Sequence, residues 1–279
     1  MTFDTSELSK ICDSIVPTMK KYLAITLMTL LFACGGTKTE EKTVAAEPEA
    51  PSKTAHHSAS ITKVFDAHGG FDTWDKMNQL SYKMGEQTTL VELKNRYTRL
   101  ESEAQTVGFD GEKVWVNPPS ENADRQRMRY NLMFYFYAFP FVVGDPGITY
   151  EDLEPIELQG KTYNQVKVSF NDGVGDSSKD NYIICSDPET NQMEWLLYTA
   201  TFGGGETSDR YGLIKYGEWQ TVNGVTIPKS IQWHTFKDGE VGEPRGGARS
   251  FENVAISEEV PSMDNFTMPE GAQVAADPQ

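Results

Sequence analysis

The sequence predicts a mainly β protein, in which a curved antiparallel sheet forms an incomplete barrel and helices close its concave face. Three observations support this fold class. Apolar and polar residues alternate with a period of two over most of the chain after Leu80. Turns rich in glycine, asparagine and aspartate separate about eleven such segments at short intervals, as antiparallel neighbours require. A single aromatic segment interrupts this rhythm with a helical pattern.

A helical region precedes the strands. Apolar residues recur there at spacings of three and four, at Ile61, Val64, Phe65 and His68, with Ser60 as the expected N-cap and Gly69-Gly70 at the end. In the short second turn, Phe71, Trp74 and Met77 share one face. We therefore expect two short helices before the first strand.

The strands are expected near residues 80–90, 92–102, 104–109, 112–117, 152–159, 162–170, 180–186, 192–202, 210–220, 225–236 and 248–256. Asp110-Gly111 is typical of a type I′ hairpin turn. Residues 123–139 begin with polar side chains, continue into an aromatic run and contain neither glycine nor proline. Such a segment predicts a helix that crosses one face of the sheet, because a helix apolar on all sides must be covered.

The N-terminal residues resemble a bacterial lipoprotein signal. Lys20-Lys21 precede an uncharged segment, residues 22–32, which is too short to span a bilayer as a helix. The following Ala33-Cys34 resembles the lipobox, and this resemblance implies cleavage after Ala33 and membrane attachment through lipid on Cys34. The alternative is an ordinary secretory signal with an incidental cysteine. Asp4, Glu7, Asp13 and Pro17 suit no signal, so we expect translation to start at Met19.

Three regions are expected: residues 1–33 as leader and signal peptide, residues 34–59 as a lipidated, disordered tether, and residues 60–279 as one folded domain. From Thr37 to Ser60 the chain has no Phe, Trp or Tyr, and too little apolar surface to offset the entropy of ordering it. His56-His57 lie in this segment. A solvated linker is favoured over a metal site for this pair, because no third ligand is near in sequence.

Composition and motifs argue against several classes of function. The 279-residue chain has a net charge of −16, and residues 1–33 contain three basic and three acidic residues, so the cleaved chain keeps that charge. No nucleic-acid partner is expected at this charge. No catalytic or metal-ligand motif is present, so we expect neither an enzyme nor a cofactor. His68 is interpreted as a helix cap, and Cys185 as a buried, inert thiol.

Three sequence segments are similar to those of a known family: residues 67–74, residues 109–116 and residues 139–147. With the order of elements, they resemble uncharacterised envelope lipoproteins related to the LolA/LolB-like lipoprotein-carrier superfamily. The resemblance implies a half-barrel with a hydrophobic cavity for acyl chains or another lipid, and a place in the cell envelope, at the outer membrane. It also implies an arginine that holds the helices closed, a role that we leave unassigned between Arg96 and Arg99.

The candidates for lining that cavity are large apolar side chains on the strands and on the crossing segment: Tyr82, Met84, Trp115, Phe134, Phe136, Phe139, Trp195, Leu197 and Trp233. A carrier needs such a concave apolar lining with few polar groups. The alternative is that these residues fill an ordinary core, in which case the protein is a scaffold or interaction lipoprotein without a ligand. An envelope hydrolase is a distant third hypothesis. Protein partners stay undefined at this stage.

Overall fold

The computed structural model describes residue 54 and residues 56–171, 180–199 and 210–276. All of them belong to Glu49–Gln279, one of the two compact units into which the chain divides, the other being Met1–Pro48. All three hydrophobic clusters of the described residues lie between Ile61 and Ala275, so this unit contains its own core. The expected cleavage residue Ala33 and lipidation residue Cys34 lie outside the described residues.

The helices are α1 (Ala59–Ala67), α2 (Phe71–Lys76), α3 (Ala123–Arg129) and α4 (Leu132–Tyr137), with 3₁₀ turns at Phe141–Val143 and Met263–Asn265. The strands are β1 (Gln79–Met84), β2 (Gln87–Glu92), β3 (Thr98–Glu101), β4 (Thr106–Phe109), β5 (Val114–Asn117), β6 (Ile148–Leu158), β7 (Lys161–Phe170), β8 (Tyr182–Ser186), β9 (Met193–Tyr198), β10 (Gly212–Val222), β11 (Val225–Lys237), β12 (Glu240–Pro244), β13 (Arg249–Ser250), β14 (Glu252–Ser257) and β15 (Gln273–Val274). No helix among the described residues is long and apolar enough to span a bilayer.

The strands form two antiparallel sheets. A seven-stranded sheet has the order β14-β1-β2-β3-β4-β5-β15 and curls through 185° as a half-barrel. An eight-stranded sheet has the order β12-β11-β10-β9-β8-β7-β6, with β13 paired to β11. Strand content is 47% against 17% helix, which confirms the expected mainly β fold class.

The strand boundaries differ from the expectation where a turn was not recognised. The segment expected as one strand over 80–90 is two strands, β1 and β2, separated by Gly85 with a φ of +59°. The structure also contains the short strands β12 and β15, of which β15 pairs with β5 at the edge of the half-barrel, and the strand expected over 248–256 is divided into β13 and β14. Strands of two to five residues carry too few alternating positions for the period to be recognised.

The folded domain begins earlier than residue 60. Ser58, and not Ser60, is the N-cap of α1, and its Oγ accepts a hydrogen bond from the Ile61 amide. Ser60 instead donates to Asp152 Oδ2 at 2.8 Å. The His57 Nε2 lies 2.9 Å from the Gly144 carbonyl oxygen, and its ring packs 4.8 Å from that of Phe71. The expectation of a solvated linker was therefore wrong for the histidine pair.

The expected crossing helix is broken into α3 and α4 at Tyr130-Asn131. Asn131 has a φ of −114° and a ψ of −7°, away from helical values. The two helices bury their inner faces in different clusters: Tyr130 packs with Val114 and Val116 of the half-barrel, whereas Phe134 joins the large central cluster.

The eight-stranded sheet is buried on both faces. On one face, Ile184, Leu196 and Ile214 pack with α1, α2 and α4 in the central cluster. On the other face, Cys185, Trp195, Leu197 and Leu213 form a separate cluster. Because the side chains of adjacent residues point to opposite faces of a strand, a strand buried on both faces reads as a continuous apolar run.

A close backbone contact positions α1 against the β10–β11 turn. A Cβ added at Gly69, which has a φ of +103°, would lie 1.9 Å from the Gly224 carbonyl oxygen. Gly239, with a φ of +85°, has no atom within 4 Å of the equivalent position. We expect Gly239→Ala to cost about 1 kcal/mol of stability through backbone strain alone. Gly69→Ala should cost about 3 kcal/mol, because the methyl group adds a clash with backbone.

Urea unfolding of residues 49–279 measures both changes, and Gly239→Ala is the control because it shares the positive φ. Equal destabilisation by the two variants would contradict the proposed contact.

Candidate functional site

Three half-buried aromatic rings lie side by side on the helix-facing side of the eight-stranded sheet. They belong to Tyr182 on β8, Tyr198 on β9 and Trp233 on β11. We call them the aromatic row. Tyr182 and Tyr198 are direct cross-strand partners, and β10, which lies between β9 and β11, places Gly212 opposite Tyr198.

The missing side chain at Gly212 allows the row to be continuous. A Cβ there would lie 2.6 Å from the Tyr198 ring, so this ring lies directly across β10. It thereby reaches β11, where the Trp233 Nε1 donates a hydrogen bond to the Tyr198 hydroxyl at 3.0 Å. The hydroxyl keeps its own hydrogen for another acceptor. The aromatic row therefore combines apolar rings with two polar groups, the Tyr198 hydroxyl and the Trp233 Nε1.

Helix α4 and the residues after it lie against the aromatic row. The Phe136 ring is 4.9 Å from Tyr198 and 5.7 Å from Trp233, and the Phe139 ring is 5.3 Å from Tyr182. The Tyr216 hydroxyl donates to the Phe136 carbonyl oxygen at 2.6 Å and so holds the end of α4 on the sheet. Ring distances in this range are those of favourable aromatic pairs.

The hydroxyls of Tyr182 and Tyr216 are neutral. Burial raises the pKa of Tyr182 well above its usual value, and the neighbouring Asp180 carboxylate raises it further. Burial likewise raises the pKa of Tyr216. A protonated phenol next to apolar rings can donate a hydrogen bond to a carbonyl or carboxylate oxygen of a ligand.

The structure brings three of the sequence-derived candidates to this surface: Phe136, Phe139 and Trp233. Three others lie elsewhere in or beside the central cluster. Tyr82 is 1% exposed, with its ring 4.6 Å from that of Tyr137, and Met84 is half-buried at the end of β1. Phe134 is 1% exposed and lies under the Arg96 guanidinium. Around Tyr82 and Phe134, the protein's own side chains fill the space that a ligand would need.

The remaining three candidates lie on other surfaces. Trp195 and Leu197 belong to the cluster on the opposite face of the eight-stranded sheet. Trp115 donates from Nε1 to the Phe266 carbonyl oxygen at 3.0 Å, and so packs against the C-terminal segment rather than α4. Sequence reasoning selected Trp195 and Leu197 and missed Tyr182 and Tyr198. The available signal was the alternation of side chains along β9, because it places Tyr198 on the same face as Leu196 and on the opposite face from Leu197.

Of the two arginines considered for holding the helices, Arg96 is the one that contacts the α4 region. Its Nη2 lies 2.7 Å from Asp145 Oδ2, and its guanidinium carbon is 5.5 Å from the centre of the Phe134 ring. It also donates to the Leu93 carbonyl oxygen. Arg99 instead pairs with Glu101 at 3.1 Å on the half-barrel. Arg96 thus joins the β2–β3 turn to α4 and to the segment after the following 3₁₀ turn.

Two further titratable groups, His234 and Cys185, have structural surroundings that account for them. The His234 Nδ1 lies 3.1 Å from the Gly242 carbonyl oxygen, and its ring packs 5.4 Å from that of Trp195. Burial raises the pKa of the Cys185 thiol to about 12, in keeping with an inert thiol. Within the described residues, no three His, Cys, Asp or Glu side chains are grouped so that they could hold a metal ion.

A polar pocket of about 230 Å³ lies beside α1, with Ser60, Lys63, Asp152, Asn164 and Asn191 among its lining residues. It lies outside the aromatic row, and its lining differs from the apolar cavity expected from the sequence. We assign no ligand to it.

Comparison with known proteins matches part of the chain to a family. Residues 119–240 match the model of a family of unknown function, DUF6503. The matched segment contains α3, α4 and the whole aromatic row. A search of the curated proteins finds no match to the chain.

Several solved structures resemble the chain at low identity. A LolA superfamily protein from Nitrosomonas europaea is 12% identical, with 68% of this chain and 87% of that chain covered and a TM-score of 0.41. A DUF1329 family protein from Desulfovibrio piger is 11% identical, with 71% and 93% covered and a TM-score of 0.42. A putative outer membrane lipoprotein-sorting protein domain from Vibrio parahaemolyticus is 6% identical, with 70% and 93% covered and a TM-score of 0.37.

We base the proposed function on the aromatic row and not on these similarities.

His68 gives the domain a predicted pH dependence. Its fully buried ring donates from Nδ1 to the Thr226 carbonyl oxygen at 3.1 Å and accepts at Nε2 from the Met193 amide at 3.1 Å. Burial lowers its pKa from 6.5 to about 4. The unfolded chain therefore binds this proton at a higher pH than the folded domain. The stability due to neutral His68 is complete above pH 6.5 and is lost as the pH falls towards 4.

We expect the free energy of unfolding to fall by about 3 kcal/mol over this range because of His68. Urea unfolding at a series of pH values measures it. In His68→Gln the same interval should show a smaller pH dependence, and an unchanged slope in this variant would refute the assignment to His68.

Proposed function

We propose that the protein is a membrane-anchored envelope lipoprotein that binds a lipid or another hydrophobic ligand along the aromatic row, beside α4. The observation that carries this proposal is the row itself, with three large rings left half-buried on the helix-facing side of the eight-stranded sheet. Apolar surface removed from water contributes about 25 cal/mol per Å². A chain-like apolar ligand laid over these rings would gain from this burial.

The filled positions limit where a ligand can lie. Tyr82, Phe134 and Phe139 are each 1% exposed, so a ligand would lie along the row and not in the depth of the half-barrel. The hydroxyls of Tyr182 and Tyr198 would orient the ligand by donating to an ester, carboxyl or similar oxygen. A few well-placed polar groups in an apolar lining are typical of sites for small hydrophobic molecules.

The ligand proposal is tested on residues 49–279, which contain all three hydrophobic clusters of the described residues. We expect lipid to co-purify and to appear as an adduct in native mass spectrometry, and a fluorescent fatty acid to bind. Trp233→Ala should weaken binding of the probe about tenfold, because it removes both a ring and the donor to Tyr198.

Phe236→Ala is the matched control for this variant. Phe236 is also a half-buried aromatic residue on β11, but it packs against the cluster on the opposite face of the sheet. Its removal should leave probe binding unchanged. Absence of any adduct together with no uptake of the probe would rule out the ligand proposal.

Absence of both adduct and probe binding would support the alternative, a scaffold or interaction lipoprotein without a ligand. Its specific support is the filled central cluster, in which the side chains of α1, α2 and α4 pack against both sheets. Both readings are non-enzymatic, and we propose that the protein carries no catalytic activity.

We further propose that lipid on Cys34 holds the domain at a membrane, most simply the outer membrane. One acyl chain anchors a protein only marginally, whereas two or more give stable attachment. A tether of roughly 20 residues would reach on the order of 25 Å from the bilayer. Such an anchor favours a fixed acceptor near one membrane over a carrier that crosses the periplasm.

The anchor is tested in cells with the full chain. We expect radiolabelled palmitate to be incorporated into the protein and the protein to fractionate with membranes. Cys34→Ala should abolish the label and should release the domain or block its maturation. Cys185→Ala is the control, since this thiol is buried within the sheet, and it should retain both properties. Label that persists in Cys34→Ala would overturn the assignment.

A further inference from the structure

The segment formed by α3 and the start of α4 has one face exposed to solvent. Arg125, Met128, Arg129 and Leu132 are all exposed, and they follow one another at spacings of three, one and three residues. In helical geometry Arg125, Met128 and Arg129 share one face of α3, and Leu132 begins α4 directly beyond the break at Tyr130-Asn131. The inner side of the same segment contains Ala123 and Tyr130, both buried against the half-barrel. We call the four exposed residues the basic-apolar face.

This face combines two features that are unusual for this protein. Met128 is 44% exposed and Leu132 is 43% exposed, whereas large apolar side chains mostly lie in the three clusters. They are flanked by arginines in a chain whose net charge is −16. Within the part of the chain that the structure describes, Arg125 and Arg129 take part in no ion pair.

The acidic groups near this face leave it positive. Asp124 lies on α3 and accepts a hydrogen bond from the Ala276 amide at 2.9 Å, and Glu121 precedes the helix. Arg127 lies on the inner side of α3, with its guanidinium carbon 5.7 Å from the Tyr130 ring. Helix α3 itself contains three arginines and one aspartate.

We propose that the basic-apolar face docks on the surface of an anionic lipid bilayer. Exposed Met and Leu side chains can enter the boundary between headgroups and acyl chains, while the neighbouring arginines bind lipid phosphates. Because of the overall negative charge, only a basic patch can approach such a surface closely, and it therefore sets the orientation of the domain. The docking is independent of the ligand proposed above.

Continuity with the aromatic row adds a second argument for a bilayer, and this one rests on the proposed function. Met133 and Tyr135 follow Leu132 and are half-buried against the central cluster, and Tyr135 lies near Tyr182. Partly exposed apolar side chains thus extend from the docking face to the row. A domain docked in this way holds the row next to its source of lipid.

Other exposed apolar residues lack this charge pattern. Val260, at 69% exposed, and Met263 lie in a segment with Glu258, Glu259 and Asp264. Such a segment is repelled by an anionic surface, and it provides the control.

The test uses residues 49–279, which lack the lipid anchor, in co-sedimentation with two kinds of vesicle. We expect binding to vesicles of phosphatidylglycerol and phosphatidylcholine, weaker binding to phosphatidylcholine alone, and a fall in binding as salt is added. The double variant Arg125→Gln/Arg129→Gln should bind roughly 25-fold more weakly, about fivefold per arginine. Leu132→Ser should also reduce binding, and Val260→Ser should not.

Absence of binding to the anionic vesicles, or equal binding by the double arginine variant, would overturn the proposal. So would loss of binding in Val260→Ser to the same extent. Circular dichroism establishes that the variants, all at exposed positions, remain folded. Binding of the fluorescent fatty acid by the arginine variant keeps this test separate from that of the ligand site.

Discussion

The junction between the end of α1 and the eight-stranded sheet determines how the helices lie on that sheet. His68 and Thr226 are joined twice, since the Thr226 amide donates to the His68 carbonyl oxygen at 2.8 Å and the His68 ring donates back. The same ring accepts from the Met193 amide on β9. Gly69 lets the chain pass within contact of the Gly224 carbonyl. Few alternative helix positions could satisfy these backbone groups, and a buried group without a partner is costly.

The packing of α2 and α4 follows from this junction. The Phe141 ring stacks on Trp74 at 5.0 Å and lies 6.1 Å from Phe65, so the 3₁₀ turn after α4 is held between α1 and α2. Tyr216 and Arg96 then fix the two ends of the α4 region from opposite sheets. The rings of the aromatic row remain half-buried beside α4.

The polar atoms left without partners show where this packing is least complete. Among the described residues, the buried polar atoms without a hydrogen-bond partner of suitable distance and angle include the hydroxyls of Tyr82 and Tyr137 and the Gln220 Nε2. The Gln220 side chain lies near the Tyr137 hydroxyl and lowers the pKa that burial otherwise raises. These groups lie next to one another under Phe251, whose ring stacks on Tyr137 at 3.8 Å. Aromatic rings therefore fill the depth of the half-barrel, but some of its buried polar atoms lack a hydrogen-bond partner.

The sequence by itself determined the fold class, most of the strands and the region of the candidate site. Alternation identified β6, β7, β10 and β11 because long strands repeat their period several times, and the aromatic run identified the segment that covers the sheet. It could not determine the face to which Trp195 or Tyr198 belongs, since β9 is apolar on both sides and only the other strands define its two environments. Nor could it show that Gly212 leaves room for the Tyr198 ring to lie across β10, or that His56-His57 pack on the domain. These features depend on which distant residues lie opposite one another, and only the tertiary structure decides that.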